Sequence, residues 1–242
     1  MDTAAHGPIT RLALAAMPED FRVFVNFAHD EVDSLAAKPD AVWHDNIFHT
    51  GGVSSSAGWF HSHKLTRDAK GKLRHVSGAV RTPIAAGLWL CHGALADGDH
   101  DAVRRWLVEL SHYTVDATTL PHVTRELTND EHRRFEQIVR DRLPDLAPSI
   151  EAEVLLLPHS RDVGGSVPDV CRETYLNQYP RVRVALDANN LANQDALLAD
   201  IVIRCVGFTM AFWLDLWQGI KMPPRKEDLV AVRARTPIDS RA

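Results

Sequence analysis

The sequence predicts an all-helical protein, folded as one multi-helix domain. Three observations carry that prediction. Apolar residues recur at helical spacing along most of the chain, and the strict alternation of half-buried strands is rare. Helix start and stop signals punctuate it at helix-sized intervals. With 242 residues, 45% hydrophobic and 24% charged, the chain is long enough to bury a substantial core. No internal repeat or compositional break divides it. Residues 1–242 therefore read as a single domain, with the charged stretch 223–242 after Pro223-Pro224 as a loose tail.

The elements follow in order. Ile9 to Met17 reads as a short helix opened near Pro8. Pro18-Glu19-Asp20 starts a second, with Phe21, Phe24, Val25, Ala28 and Val32 on one face and Pro39 after its end. Between Asp40 and Val80 the periodicity fails. Gly51-Gly52 and the run Ser54 to Gly58 mark a long loop there, of the kind that serves as a lid or as simple flexible chain. Thr82-Pro83 opens a helix to about Ala96, Asp97-Gly98-Asp99 breaks it, and another runs from about Asp101 through Asp116. Thr128-Asn129-Asp130-Glu131 is a capping box. It opens a helix to about Leu143, which Pro144 stops. Leu155 to Asp169 reads as a loop, Val170 to Asn177 as a helix, and Asn193 to Gly219 as the longest apolar helix. Its most apolar window, Ile201 to Leu216, is short and bounded by charges such as Asp200 and Asp215. That predicts a buried core helix and no transmembrane segment.

Bulk properties narrow the function. A formal net charge of −5 argues against a surface built for long nucleic acid. Cys91, Cys171 and Cys205 are odd in number and far apart, which argues against disulfides and a thiolate zinc site. They read as small buried hydrophobes in a reducing compartment. The opening MDTAAHGPIT lacks a basic stretch followed by an apolar one, so the expectation is no signal peptide and a cytoplasmic location. Histidine is the unusual item, with 13 residues against 3 tyrosines and 4 methionines.

The chemistry concentrates in one segment: His112-Tyr113-Thr114-Val115-Asp116, then Pro121-His122, then His132-Arg133-Arg134-Phe135-Glu136. At 3.6 residues per turn His112 and Asp116 share a helix face, as do His132 and Glu136. Two imidazoles and two carboxylates can therefore converge from two helices, with His122 supplied by the turn between them. Helical proteins build metal sites this way, and the donor set suits zinc or a neighbouring first-row metal. One such pair alone would be a surface pair worth a few tenths of a kcal/mol. Their coincidence with His122 raises the metal reading.

These residues resemble the zinc-dependent phospholipases C and the single-strand-specific fungal nucleases, which share one helical fold. The family pattern is H-x-x-x-D, a few residues, H, a longer gap, then H-x-x-x-E/D. The run His112 to Glu136 matches it, including the tyrosine after the first histidine. Upstream, His6-Gly7-Pro8-Ile9 matches the family's N-terminal motif. Lys38-Pro39-Asp40 matches its Pro-Asp, and Trp59-Phe60-His61-Ser62-His63 supplies its loop histidine, with His63 preferred over His61. Nothing after Arg142 carries a match.

The resemblance implies an all-α domain with a metal cluster in a cleft, and three zinc ions. Asp40, His63, His112 and Asp116 would hold the first. His122, His132 and Glu136 would hold the second. The third would share Asp116 and use His6 with the amine and carbonyl of Met1. Here the sequence departs from the family, whose mature chain begins with a tryptophan. The implied activity is hydrolysis of a phosphoester, small-molecule or lipid, phospholipase C-like or nuclease-like. A metal-activated water attacks phosphorus, and Asp40 orients or deprotonates that water. Trp43, Phe48, Trp59, Phe60 and Tyr113 lie near the proposed ligands in sequence, where they would stack on a base, line a lipid pocket or simply pack. Three alternatives stand beside this reading. One is a same-fold metalloenzyme with different chemistry in a biosynthetic pathway. Another is a helical phosphohydrolase using the doublets His29-Asp30 and His44-Asp45. The last is a helical protein whose metals are purely structural.

Overall fold

Helices carry the architecture, as predicted. The computed structural model describes residues 3–41, 62–155 and 167–221. In chain order these form α1 (Thr3–Ala16), α2 (Glu19–Val25), α3 (His29–Ala41), a hairpin of β1 (Lys64–Arg67) and β2 (Leu73–Ser77), then α4 (Arg81–Asp97) and α5 (His100–Ala117). The one-turn α6 (Leu120–Val123), α7 (Asn129–Val154), α8 (Val167–Asp187) and α9 (Asp195–Lys221) complete the described chain, with a 3₁₀ turn at Leu191–Asn193 before α9. The 51–58 loop, the aromatics from Trp43 to Phe60 and the tail 223–242 lie outside the described residues.

Several boundaries fall where the local signals put them. Gly98 adopts φ 75° as the C-cap of α4, and the Asp99 side chain accepts from Ala102 N to cap α5. The Thr128–Glu131 capping box is formed reciprocally at the start of α7.

Other boundaries differ, and proline is the usual reason. α1 begins before Pro8, so His6 sits on a helix and not on an N-terminal arm. Pro39 lies inside α3, Pro144 and Pro148 inside α7, and Pro180 inside α8. An interior proline costs roughly 3 kcal/mol and one hydrogen bond. In α7 the buried stripe Val139, Leu143, Leu146, Ile150 and Val154 offsets that and carries the helix past both prolines. The single second helix expected from Pro18 is two, because Asn26 takes a left-handed conformation (φ 41°, ψ 44°) and ends α2. The hairpin falls in a stretch read as structureless; its tight turn runs through Asp68, Lys72 and Gly71, the last at φ 76°.

α1 lies against α3, α5, α7 and α9, which places the N-terminal helix at the middle of the bundle. α9 is long and apolar enough to cross a membrane by length and composition alone, and most of it is buried inside this domain. It is tied to α5 by polar contacts as well as packing. Trp213, fully buried, donates from Nε1 to Leu107 O at 2.9 Å, and Thr209 and Thr114 share a hydroxyl hydrogen bond of 2.7 Å. The three cysteines are free and buried, and burial pushes each thiol up to about 12.

Candidate metal centre

α5 is buried without a break from Leu110 to Ala117, polar residues included. An ionised carboxylate at 0% exposure, as at Asp116, is very costly unless charge or hydrogen bonds compensate. Asp116 meets three imidazoles. His112 Nε2 is 3.3 Å from Oδ2, while His6 Nε2 (3.5 Å) and His122 Nε2 (3.3 Å) face Oδ1. One helix turn therefore projects a carboxylate into the meeting point of α1, α5 and α6.

Two groups of possible ligands flank it. Donor atoms of His6, Asp40 and His112 all lie within 4.8 Å of one another, and those of His122, His132 and Glu136 do likewise. In the first group Asp40 Oδ1 is 3.5 Å from His112 Nε2, and the His6 and His112 rings stack with centroids 3.8 Å apart. In the second, Glu136 Oε1 lies 3.2 Å from His122 Nε2 and 2.8 Å from His132 Nε2. The helical spacing that made His132 and Glu136 neighbours in the sequence puts them on the first turns of α7. α6 turns His122 back towards them.

The donor set fits a divalent first-row cation, and two features of the chain support the fit. His112 Nδ1 donates to Ala36 O at 2.9 Å, which leaves Nε2 as the ring nitrogen that faces the carboxylates. Metal-binding imidazoles are fixed in this way. His6 is fully buried, yet among the described residues neither ring nitrogen finds a hydrogen-bond partner. Buried polar atoms are almost always paired. A cation between His6, Asp40 and Asp116 would satisfy it.

Exposure is graded across the centre. His6, His112 and Asp116 form a closed floor at 0%, whereas the side chains of Glu136, His132 and Asp40 are 12%, 27% and 30% accessible. The floor is dry and the rim is open to solvent.

The members of the centre hold one another's charge states. Burial acts to lower His112, but Asp116 and Asp40 raise it to about 9. Burial lowers His122 to about 4, against the pull of Asp116, and pushes His6 well below the usual imidazole range, with His112 adding to the effect. The three carboxylates stay well below theirs despite burial, held there chiefly by His112 for Asp40, His122 for Asp116, and His122 with His132 for Glu136. These shifts predict a pH optimum of stability for protein stripped of metal by a chelator. The contribution of His112 is full below 6.5 and is lost as pH rises through about 9. For His122 and His6 the unfolded chain takes up protons below 6.5 that the folded chain refuses, so stability also falls as pH drops towards 4. The melting temperature of the stripped protein is expected to peak near pH 6.5. A melting temperature that climbs steadily towards pH 9 contradicts this.

Of the residues singled out in the sequence, His6, Asp40, His112, Asp116, His122, His132 and Glu136 come together. Among the described residues His6 falls in with Asp40 and His112, and Asp116 lies between this group and the second. His63 belongs to neither group. Its backbone N donates to His122 O at 3.0 Å, but its ring stacks on His75 at 4.1 Å, and burial lowers it to about 4. Met1 and His61 lie outside the described residues. Tyr113 is buried and packs edge-on to His112, an ordinary core role. His29 and Asp30 are exposed at the start of α3 and join neither group, and His44-Asp45 lies outside the described residues.

Two residues near the centre carry no local sequence signal. Gln178 on α8 is fully buried and uses both ends of its amide: Oε1 accepts from Leu120 N at 3.0 Å, and Nε2 donates to Thr118 O at 2.8 Å. It pins the turn that carries His122. Gln178→Leu takes the partner from the buried N–H of Leu120 and leaves Thr118 O with the weak thiol contact of Cys205, a loss of about 1–3 kcal/mol. The expected result is a lower melting temperature together with weaker metal retention, read by denaturation and elemental analysis. The other is Lys64. Its half-buried ammonium donates to Pro121 O, and burial pulls it down to about 8 while Asp116 and Glu136 hold it up. Neither leaves a local trace in the sequence, since both act through partners some 60 residues away.

No protein-family model matches the sequence, and no curated protein does. Among solved structures, the chain is similar to the alpha-toxin of Clostridium perfringens from avian strain SWCP, with a TM-score of 0.51 and 12% identity. The match takes in 92% of this chain and 66% of the toxin, so the chain spans just under two thirds of the toxin's length. At that identity the likeness is one of fold: an all-helical chain of the alpha-toxin type, with candidate metal-binding groups at its centre.

Proposed function

We propose that this protein is a zinc-dependent phosphoester hydrolase acting on a small-molecule or lipid phosphoester. The observation that carries the reading is the graded exposure of the centre. A purely structural metal site is closed on all sides, whereas a catalytic one keeps a position open. Here a dry floor of His6, His112 and Asp116 meets an accessible rim of Asp40, His132 and Glu136. The fold likeness is consistent with it, since the alpha-toxin is a zinc phospholipase C.

His6, Asp40, His112, Asp116, His122, His132 and Glu136 would hold the metal, with Asp116 shared between the two groups. Bound zinc supplies Lewis-acid polarisation of a phosphoryl oxygen and a water acidified towards neutrality. The side chains do the rest. His112 is fixed by Ala36 with its Nε2 inward, so it needs no reorganisation to bind. Asp40, ionised and on the rim, accepts a hydrogen bond from the attacking water and aims it at phosphorus. Its strongly lowered pKa suits it to orienting that water more than to storing its proton. A new bond forms from the water oxygen to phosphorus, and the ester P–O bond breaks. One water proton leaves with the departing alcohol and the other passes to solvent.

The test is elemental analysis of dialysed protein beside turnover of p-nitrophenyl phosphate and bis(p-nitrophenyl) phosphate. About two to three zinc per chain, with hydrolysis abolished by chelator and restored by zinc, is expected. A folded protein that takes up no zinc sinks the metal centre. Full zinc without hydrolysis of any phosphoester moves the reading to a metalloenzyme of different chemistry.

A further inference from the structure

We propose that Lys64 is an anion-binding residue at the edge of the metal centre, and that it fits the centre to a terminal phosphate, the group of a phosphomonoester. The inference rests on the hydrolase reading and narrows its substrate class.

Lys64 is carried on β1, which runs beside the segment bearing His122. His63 N donates to His122 O at 3.0 Å, and Arg125 N donates to Leu65 O at 3.1 Å. Between these two anchors the Lys64 side chain reaches back to the carbonyl of Pro121, the residue before His122. The next ring in the chain, His122, stands 3.3 Å from Asp116 and 3.2 Å from Glu136. Those two carboxylates are the acidic groups that act on the ammonium, and among the described residues neither forms an ion pair with it. A lysine usually leaves its ammonium in water and packs only its stem. This one is half-buried with its head on a single backbone carbonyl, and an ammonium has three donors. Two N–H groups therefore remain for a ligand.

The count of oxygens decides the ligand. A phosphodiester carries one negative charge and two non-bridging oxygens. A phosphomonoester carries nearly two charges and three such oxygens, all strong acceptors. A cation set beside the ligand groups adds a partner for the third oxygen and for the second charge, which a diester lacks. Lysine serves phosphate well as a point charge in this role. Hydrolysis of a monoester yields an alcohol and inorganic phosphate, so inorganic phosphate is both product and probe.

The experiment is calorimetric titration of inorganic phosphate, near neutral pH, into zinc-loaded wild type, Lys64→Met and Lys64→Arg. Dimethyl phosphate is the singly charged control, and zinc content is measured on each protein. Lys64→Met is expected to weaken phosphate binding roughly 10- to 100-fold, as for loss of a charge-assisted hydrogen bond, with zinc content unchanged. Lys64→Arg should recover most of the loss, and dimethyl phosphate should change less than about threefold. The proposal is overturned by wild type that does not bind phosphate, by Lys64→Met that binds it as wild type does, by an equal loss for dimethyl phosphate, or by loss of zinc in Lys64→Met. That last result would make Lys64 structural. Lys64-dependent phosphate binding in a protein that hydrolyses no ester would keep the anion site and remove the hydrolase reading. Hydrolysis that ignores Lys64→Met for monoester and diester alike would do the reverse.

Discussion

With the centre acting as the proposed zinc hydrolase, Asp116→Ala is expected to remove most of the zinc and to lower phosphoester turnover by about 10³-fold or more. The reason is position. Asp116 is the one carboxylate within 3.5 Å of three imidazoles from three different helices, His6, His112 and His122. It stands between the two ligand groups, facing His6 and His112 of the first and His122 of the second. Removing it takes away the oxygen that both groups would share. It also removes the charge that, with Asp40, holds His112 up at about 9. Asp116→Asn is the informative partner, since it keeps the shape and removes the charge. Both variants should remain folded, because the hydrophobic contacts of α5, from Val103 to Val115, are untouched. Elemental analysis beside far-ultraviolet circular dichroism separates the two effects. Full zinc content in well-folded Asp116→Ala would show that the metal, if bound, is held elsewhere.

The second large effect is expected from a single added methyl group. Gly7→Ala should destabilise the protein by about 3 kcal/mol, or roughly 6–12 °C in melting temperature for a domain of this size. A Cβ at Gly7 would stand 2.3 Å from Asp33 Oδ1 and 2.8 Å from Asp33 Cα. A side chain can swing away, but the second of these atoms is backbone, so α1 and α3 must part. His6 precedes Gly7 on α1 and Asp40 sits near the end of α3, so the same movement should loosen the first ligand group and weaken zinc binding. Gly93→Ala is the control. It lies in α4 with nothing within 4 Å of the added methyl, and should be neutral or slightly stabilising, as glycine to alanine is in a helix. Equal melting temperatures for both variants would contradict the close approach of α1 and α3.

The sequence made the fold class and half of the centre readable for one reason: both rest on local periodicity. His112 with Asp116, and His132 with Glu136, are neighbours because of helix pitch, and the Thr128 capping box fixes where α7 begins. What was not readable depends on contacts made at a distance. Pro144 and Pro148 look like stops until the buried stripe of α7 is seen to run through them. Asn26 ends α2 by adopting a left-handed conformation that its surroundings permit but its neighbours in sequence do not announce. Gln178 and Lys64 act through backbone groups on other elements, and no spacing rule could mark them. His63 shows the converse. The motif marks it as a ligand, while among the described residues its ring stacks on His75 and it falls in neither candidate group.

The centre draws on α1, α3, α5, α6 and α7, from His6 near the start of the chain to Glu136 past its middle. During synthesis, therefore, the first candidate group, which spans His6 to His112, is complete only once α5 has been made, whereas the second lies within His122 to Glu136. Domains assemble as units once their long-range partners exist. His6 on α1 must wait, unsatisfied, until α5 and α7 have been made and packed around it. With a cation bound as proposed, the affinity of the centre would add directly to the stability of the native state.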